Sequence, residues 1–220
     1  MYHSILNTNQ TKLRDIWDLD VNYFNQHLKF LKEKENLIKP EELIDNIPET
    51  GVLITFDDGR RDFFETAAPV LMEHEVPFSL FVITNFLGSK DYISMNMLKE
   101  LSTYKHASIG SHSMNHQRLT ECSEEDLSEE IYGSKLFLED ILGKEIKMFS
   151  YPYGKFNTKV RDKVEEAGYK LGFTSIFDLN TASQDRLLLN RSEIWDTDDL
   201  NIFKQKLNGN WDWFKYRRFL

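Results

Sequence analysis

Cysteine is nearly absent from this chain of 220 residues, which contains only Cys122. A single thiol excludes a disulfide within the chain, and it also excludes a metal site built from several thiolates. We therefore interpret Cys122 as an inert residue at the start of a helix.

Long apolar runs are absent as well. No stretch approaches the roughly 18 apolar residues of a membrane-spanning helix, and no basic segment followed by an apolar one begins at Met1. We expect a soluble, cytoplasmic protein without firm membrane contact, unless a leader peptide has been removed.

A surplus of basic residues is also missing. Lysine and arginine number 27 against 36 aspartates and glutamates, so the formal net charge is −9. A nucleic-acid-binding surface needs a basic patch, so we expect no nucleic-acid partner. The same balance disfavours a strongly anionic substrate.

Strand-like and helix-like segments alternate along the whole chain, with no linker, repeat or low-complexity run. This alternation predicts a single α/β domain, residues 1–220, with a parallel sheet. About seven strand–helix units favour a small or incomplete parallel β/α barrel over an open sheet. Pro69 is expected to kink or restart the helix predicted at 61–75. The predicted strands are residues 1–6, 51–56, 77–84, 107–110, 146–150, 169–175 and part of 186–195.

The segment 51–59 (GVLITFDDG) is a short apolar run that ends in two adjacent carboxylates, Asp57 and Asp58. Such a run is typical of a buried parallel strand, and sites form at the carboxyl ends of such strands. Two neighbouring anions repel each other, and a divalent cation is the commonest way to hold them together. The alternative is that one aspartate caps the following helix.

Two further strand ends carry unusual residues. His112 and His116 follow the strand at 107–110, and the segment 151–154 (YPYG) follows the strand at 146–150. If the strands are parallel, all three ends open on one rim. Residues four apart share one face of a helical turn, so both histidines could bind one divalent metal there. The alternative makes them ordinary loop residues.

Two histidines and one aspartate leave coordination positions open, as in a catalytic metal site. Only one of the two aspartates is needed as a ligand. The other can act as general base for a water whose pKa the metal lowers.

These three segments, 55–59 (TFDDG), 112–116 (HSMNH) and 151–154 (YPYG), resemble in order and spacing the motifs of the polysaccharide deacetylase family. The resemblance extends from residue 2 to about residue 191. It implies a distorted parallel β/α barrel and removal of N-acetyl groups from amino sugars.

The resemblance also implies residue roles. Asp57 is expected to be the catalytic base, and Asp58, His112 and His116 to be the metal ligands. The backbone N–H of Tyr153 is expected to help bind the oxyanion alongside the metal, so Tyr153 is also a candidate substrate-binding residue. The resemblance implies a divalent metal, usually zinc and sometimes cobalt or nickel.

The sequence departs from the family at two places. Ser150 stands where many members have an arginine that orients the catalytic aspartate, and Arg191 is our candidate replacement. The late histidine that serves as general acid is missing, since His116 is the last histidine of the chain. His3 is a candidate for that proton transfer, and Asp57 returning its proton is another route.

The leading functional hypothesis is a metal-dependent N-deacetylase acting on an N-acetylated sugar or glycan, such as a precursor of a surface polysaccharide. Trp195 is a candidate residue for stacking on the substrate. Two alternatives stay open: hydrolysis of a non-sugar amide, and a glycan-binding relative with weak or no catalysis.

Overall fold

A computed structural model describes residues 1–8, 15–45 and 47–219. All of the paired strands in these ranges run parallel to their neighbours. The strands are β1 (Ser4–Leu6), β2 (Asp18–Asp20), β3 (Thr55–Phe56), β4 (Phe78–Val82), β5 (Ala107–Ser111), β6 (Met148–Ser150) and β7 (Leu171–Phe173).

Five strands form one sheet in the order β3-β4-β5-β6-β7, and β1 and β2 form a separate pair. Strand β4 is buried along its whole length, as its unbroken apolar pattern predicts for a strand covered on both faces. The chain just before β1 joins the large sheet, because Tyr2 N–H donates to Thr55 O at 2.8 Å and Asp57 N–H donates to Tyr2 O at 3.0 Å. The predicted fold, an incomplete parallel β/α barrel, is confirmed. The described residues form seven strands, five in one sheet and two in a pair, and β2 of that pair was not predicted.

Helices connect the strands and bury apolar residues against the sheet. For example, Leu98 and Leu101 are fully buried in the helix Met95–Ser102, as are Val160 and Val164 in the helix Thr158–Glu166. The helices are α1 (Val21–Lys34), α2 (Glu42–Asp45), α3 (Ala68–Glu73), α4 (Met95–Ser102), α5 (Glu124–Ser128), α6 (Ser134–Leu142), α7 (Thr158–Glu166) and α8 (Leu200–Leu207). No helix in the described ranges is long and apolar enough to cross a membrane.

The helix predicted across Pro69 is irregular. Residues Phe63–Ala67 form a π-type turn before α3, and Ala68 N–H donates to Phe63 O, five residues earlier. In a regular helix the ring of Pro69 would collide with the carbonyl of Glu65, and Pro69 has no N–H to donate. The wider turn accommodates the proline without ending the helical path.

The prediction of a regular strand within 186–195 is wrong. Leu189 alone bridges Phe173 of β7, although Arg191 N–H also donates to Ile176 O at 3.0 Å. Leu188 N–H donates to Asp185 O at 2.9 Å, and the resulting turn interrupts the strand pairing with β7. We call residues 186–195 the closing segment, because it lies between β7 and the start of the chain.

The closing segment contacts both edges of the open barrel. Leu189 N–H donates to Gly172 O of β7 at 2.7 Å, and Ile194 N–H donates to Met1 O at 2.9 Å. The carboxyl ends of β3, β5 and β6 therefore share one rim with this segment. The residues with unusual chemistry lie at that rim.

Replacing Gly172 tests how tightly the closing segment is packed on β7. A Cβ atom at Gly172 would overlap the backbone carbonyl of Leu187, which cannot move without breaking the segment's hydrogen bonds. We expect Gly172→Ala to lower the free energy of unfolding by roughly 1–3 kcal/mol or more, measured by urea denaturation.

Gly133→Ala is the matched control. Its Cβ would meet the end of the flexible Met114 side chain at 2.9 Å and Glu129 Cγ at an ordinary 3.8 Å, and alanine favours the helix. Equal stability of the two variants would contradict close packing of the closing segment on β7.

Candidate active site

Asp57, directly after β3, is almost fully buried and held by an arginine. Arg191 Nη1 donates to Asp57 Oδ1 and Nη2 donates to Oδ2, both at 2.8 Å. Ser150 Oγ donates to Asp57 Oδ2 at 2.9 Å. The carboxylate is therefore fixed in one orientation by three charge-assisted or polar hydrogen bonds.

Arg191 is itself fixed by neighbours from three strand ends. Its Nε donates to Thr174 O at 2.8 Å, its Nη1 to Thr55 Oγ1 at 3.2 Å, and its Nη2 to Ser150 Oγ at 2.7 Å. The structure thus places Arg191 against Asp57, where the sequence predicted a replacement for the family's arginine. Ser150, at the position of that arginine, bridges the two side chains.

The ionisation state of Asp57 follows from two opposing effects. Burial by itself would raise the pKa of Asp57, but the positive charge and hydrogen bonds of Arg191, together with His112 and His3, outweigh burial. The pKa of Asp57 therefore lies well below its ordinary range, and the carboxylate is ionised at neutral pH.

Asp58, His112 and His116 form a set of possible metal ligands at the same rim. One ligand atom from each lies within 4.8 Å of the other two. The Oδ1 atom of Asp58 is 3.6 Å from His112 Nε2 and 3.9 Å from His116 Nε2. Two atoms that each bind one cation at about 2.1 Å lie at most about 4.2 Å apart. Both distances from Asp58 meet this limit, and the three side chains could hold a single cation.

The two imidazoles are prepared for a metal in different ways. His112 Nδ1 lies 2.8 Å from Ser150 O, so this nitrogen carries the proton and Nε2 presents its lone pair. Burial lowers the pKa of His116 to about 4, and the neighbouring His112 adds to the effect. His116 is therefore neutral at neutral pH, the form that binds metals.

The expectation that His112 and His116 share a helical turn is wrong. Both lie in a loop after β5, and the loop turns through Ser113 at φ 65° and His116 at φ 57°. Ser113 N–H donates to Ser111 Oγ at 3.1 Å, and His116 N–H donates to Ser113 Oγ at 3.0 Å. These local bonds, and not helical spacing, bring the two rings to 4.7 Å between centroids.

Glu130 was missed by the sequence reasoning, although it anchors this loop. It is almost fully buried, and its Oε2 accepts the N–H groups of Met114 at 3.1 Å and Asn115 at 2.9 Å. Its Oε1 accepts from the Asn115 side chain at 2.7 Å. The one signal in the sequence is its position three residues after the inward-facing Leu127, on the same helical face.

Backbone strain is concentrated at the rim. Of the five non-glycine residues with positive φ among the described residues, four lie in the three motifs. Such conformations each cost about 1–3 kcal/mol and persist where surrounding contacts impose them. The four are Asp58, Ser113, His116 and Tyr153.

Tyr153 belongs to the strained turn Pro152–Gly154, with φ 59°. The residue is 49% exposed, and its ring lies 4.5 Å from the His116 ring, while the Arg118 guanidinium covers it at 4.7 Å. Its backbone N–H has no hydrogen-bond acceptor among the described residues. The structure thus brings Tyr153 beside a predicted metal ligand, with a free N–H.

His3 and Trp195 lie in different surroundings. His3 is close enough to Asp57 and His116 to influence both electrostatically, and its buried Nδ1 has no hydrogen-bond partner among the described residues. Trp195 is half-buried, and Lys206 Nζ lies 3.8 Å from the centroid of its ring. The structure therefore places His3 at the rim. Trp195 lies beside the rim, with its ring packed in an aromatic cluster under the C-terminal segment.

Glu130→Ala tests whether the buried carboxylate positions the histidine loop. Loss of three hydrogen bonds should let the loop relax, and zinc affinity should fall about 10- to 100-fold. Competition with a fluorescent zinc chelator measures the change. Glu129→Ala, an exposed neighbour, is the control, and an unchanged affinity in Glu130→Ala would contradict this role.

Comparison with known sequences and structures agrees with this geometry. The sequence model described as Polysaccharide deacetylase matches residues 45–172, which include all three motifs. The chain is 29% identical over 193 residues to YxkH of Bacillus subtilis (strain 168), which is provisionally named a polysaccharide deacetylase. The aligned region covers 84% of this chain and 66% of that protein. The chain is 27% identical over 159 residues to a poly-β-1,6-N-acetyl-D-glucosamine N-deacetylase of Staphylococcus aureus (strain MRSA252). This aligned region covers 66% of this chain and 54% of that protein.

These curated relatives are longer proteins, of which the chain spans about half to two thirds. Among solved structures, the fold matches the Streptococcus pyogenes deacetylase PplD in complex with acetate with a TM-score of 0.84 and 26% identity, covering 94% of this chain and 95% of that one. The match of the family model over more than half of the residues, on a fold of the same kind, shows that this chain belongs to the polysaccharide deacetylase family.

Proposed function

We propose that the chain is a metal-dependent hydrolase that removes N-acetyl groups from an N-acetylated glycan. One observation carries the proposal: the buried, arginine-bound Asp57 lies beside the three-residue ligand set. Asp57 Oδ2 is 3.8 Å from Nε2 of the candidate ligand His112, so a base and a cation site share one centre. The named activity of the Staphylococcus aureus relative supports polymers of N-acetylglucosamine as the substrate class.

Asp58, His112 and His116 would hold the cation. Two imidazoles and one carboxylate suit zinc, and cobalt or nickel could take the same ligands. When bound, the cation would lower the pKa of a coordinated water and polarise the acyl carbonyl.

Asp57 takes the proton of the attacking water in this mechanism. Asp57 is ionised at neutral pH and can accept this proton, and the protonated carboxyl can then give the proton away. Its acceptor is the amide nitrogen of the substrate, which leaves as an amine when the C–N bond breaks. The new C–O bond completes acetate. Asp57 can thus serve as base and then acid, which accommodates the missing late histidine.

Two further residues have roles in the proposal. The free backbone N–H of Tyr153 donates to the oxyanion that forms when water attacks the carbonyl. His3 is a second candidate for protonating the leaving amine, because it lies near Asp57 at the rim.

Asp57→Asn separates the base from the metal site. Asparagine cannot accept the proton but keeps the size of the side chain, so acetate release should fall about 10²- to 10⁴-fold while zinc binding persists. Acetate release from oligomers of N-acetylglucosamine, together with bound zinc measured by elemental analysis, checks this.

Asp140→Asn, on the exposed face of α6, is the control. Full activity of Asp57→Asn would contradict its role as base. A zinc-bound protein that releases no acetate from any sugar but cleaves other amides would point to the alternative hydrolase function.

Arg191→Lys tests the orientation of the base. Lysine keeps the charge but cannot make two parallel hydrogen bonds, so kcat/KM should fall at least about tenfold. The pKa of Asp57 should rise, because the hydrogen bonds from Arg191 that lower it are lost while burial, which raises it, remains. Since only ionised Asp57 accepts a proton, the acid limb of the kcat/KM profile should move to higher pH.

Arg186→Lys, five residues earlier in the closing segment, is the matched control. It donates to the Leu43 carbonyl at 2.9 Å and does not contact Asp57. An acid limb that stays in place in Arg191→Lys would show that the arginine does not set the ionisation of the base.

A further inference from the structure

Beside the rim, two tryptophans that are far apart in the sequence, Trp17 and Trp195, donate to the carboxylate of Glu193. Trp17 Nε1 lies 3.5 Å from Glu193 Oε2, and Trp195 Nε1 lies 3.3 Å from the same oxygen. The other oxygen, Glu193 Oε1, has no hydrogen-bond partner among the described residues. We call Trp17, Glu193 and Trp195 the tryptophan–glutamate cluster.

The cluster lies next to the reaction centre. The Trp17 ring is 5.7 Å from the His3 ring, and His3 follows Tyr2, whose carbonyl accepts the Asp57 N–H at 3.0 Å. Glu193 is two residues after Arg191, the residue that holds Asp57. The cluster therefore borders the rim on the side of the base.

Backbone hydrogen bonds fix the cluster in this place. Ile194 N–H donates to Met1 O at 2.9 Å, and Asp196 N–H donates to Ile16 O at 2.7 Å. The closing segment is thereby joined both to the start of the chain and to the residue before Trp17. A ligand that touched Trp17 and Glu193 would find them already positioned.

The two tryptophans differ in what their faces can contact. Trp195 is occupied: Lys206 Nζ lies over its ring at 3.8 Å, and Phe177 and Phe214 pack within 5.7 and 5.2 Å of it. Trp17 is 38% exposed, and its N–H is already bound to Glu193. Trp17 thus offers an aromatic face to solvent.

An exposed aromatic face beside a carboxylate with a free oxygen matches the chemistry of a sugar ring. The C–H face of a pyranose is apolar and packs on an indole, while its hydroxyl groups donate to a carboxylate. We propose, resting on the proposed deacetylase function, that the tryptophan–glutamate cluster binds the sugar unit adjacent to the one that is deacetylated. Trp17 stacks on this ring, Glu193 Oε1 accepts one of its hydroxyl groups, and Trp195 positions Glu193.

The inference predicts a preference for oligomers over single sugars. The binding measurement uses the zinc-loaded Asp57→Asn protein, which keeps the substrate intact, and isothermal titration calorimetry. The two ligands are N-acetylglucosamine and its β-1,6-linked tetramer. The tetramer should bind at least about tenfold more tightly than the single sugar, and adding Trp17→Ala should remove most of this difference.

Two further variants complete the test. Glu193→Gln preserves the shape of the side chain and the contacts with both indoles, but it changes the acceptor at Oε1. Tetramer affinity should therefore be lower than in the zinc-loaded Asp57→Asn protein without this change. Tyr132→Ala removes an exposed aromatic residue of the turn Glu129–Gly133 and should leave tetramer affinity unchanged. Thermal unfolding of each variant verifies that it is folded.

The outcomes separate this inference from the proposed function. Equal affinity for tetramer and single sugar, or equal tetramer affinity with and without Trp17, would overturn the sugar subsite. Absence of acetate release from the tetramer by the unsubstituted protein would contradict the deacetylase function. A loss of tetramer binding on Trp17→Ala would still support the subsite in that case.

Discussion

The ion pair between Arg191 and Asp57 joins two parts of the barrel that no regular strand pairing connects. Asp57 ends β3, and Arg191 lies in the closing segment, 134 residues later. Two buried charges are tolerated only if their hydrogen-bonding groups are satisfied, and here Thr174, Thr55 and Ser150 complete the arrangement. The same contacts that close the barrel therefore also aim the proposed base.

The ligand set depends on a second, separate anchor. The loop that carries His112 and His116 is not helical, and its shape is held by the buried carboxylate of Glu130 from the neighbouring π-type turn. The proposed base and the candidate ligands are thus fixed from opposite sides, by the closing segment and by the turn between α5 and α6. This division would let the metal and the proton transfer be perturbed independently.

Local pattern was sufficient for much of the fold and for the motif residues. Buried strands such as β4 are continuous apolar runs, and the carboxylates and histidines follow them directly, so their common rim could be expected from parallel topology alone. The loop geometry at His116 could not be expected, because spacing of four fits a helical turn as well as a tight loop. The interrupted pairing at Leu189 was likewise hidden, since its turn depends on contacts with β7 rather than on its own sequence.

Residues that act through long-range contacts were the hardest to find. Arg191 was a candidate only because the resemblance to the family left a position to fill at Ser150. Nothing in the sequence pointed to Glu130 or Trp17 in this way. In the sequence, Glu130 resembles a surface glutamate of a helix, and Trp17 resembles an isolated aromatic residue. Their partners, Asn115 and Glu193, are 15 and 176 residues away in sequence.

The central claim is that Asp58 binds the cation while Asp57 stays on Arg191 as the base. A crystal structure of the zinc-loaded protein, with the metal located by anomalous scattering, tests this most directly. We expect zinc at about 2.0–2.2 Å from Asp58, His112 and His116, with both Arg191–Asp57 hydrogen bonds retained. Zinc bound directly to Asp57, with Arg191 displaced, would contradict it.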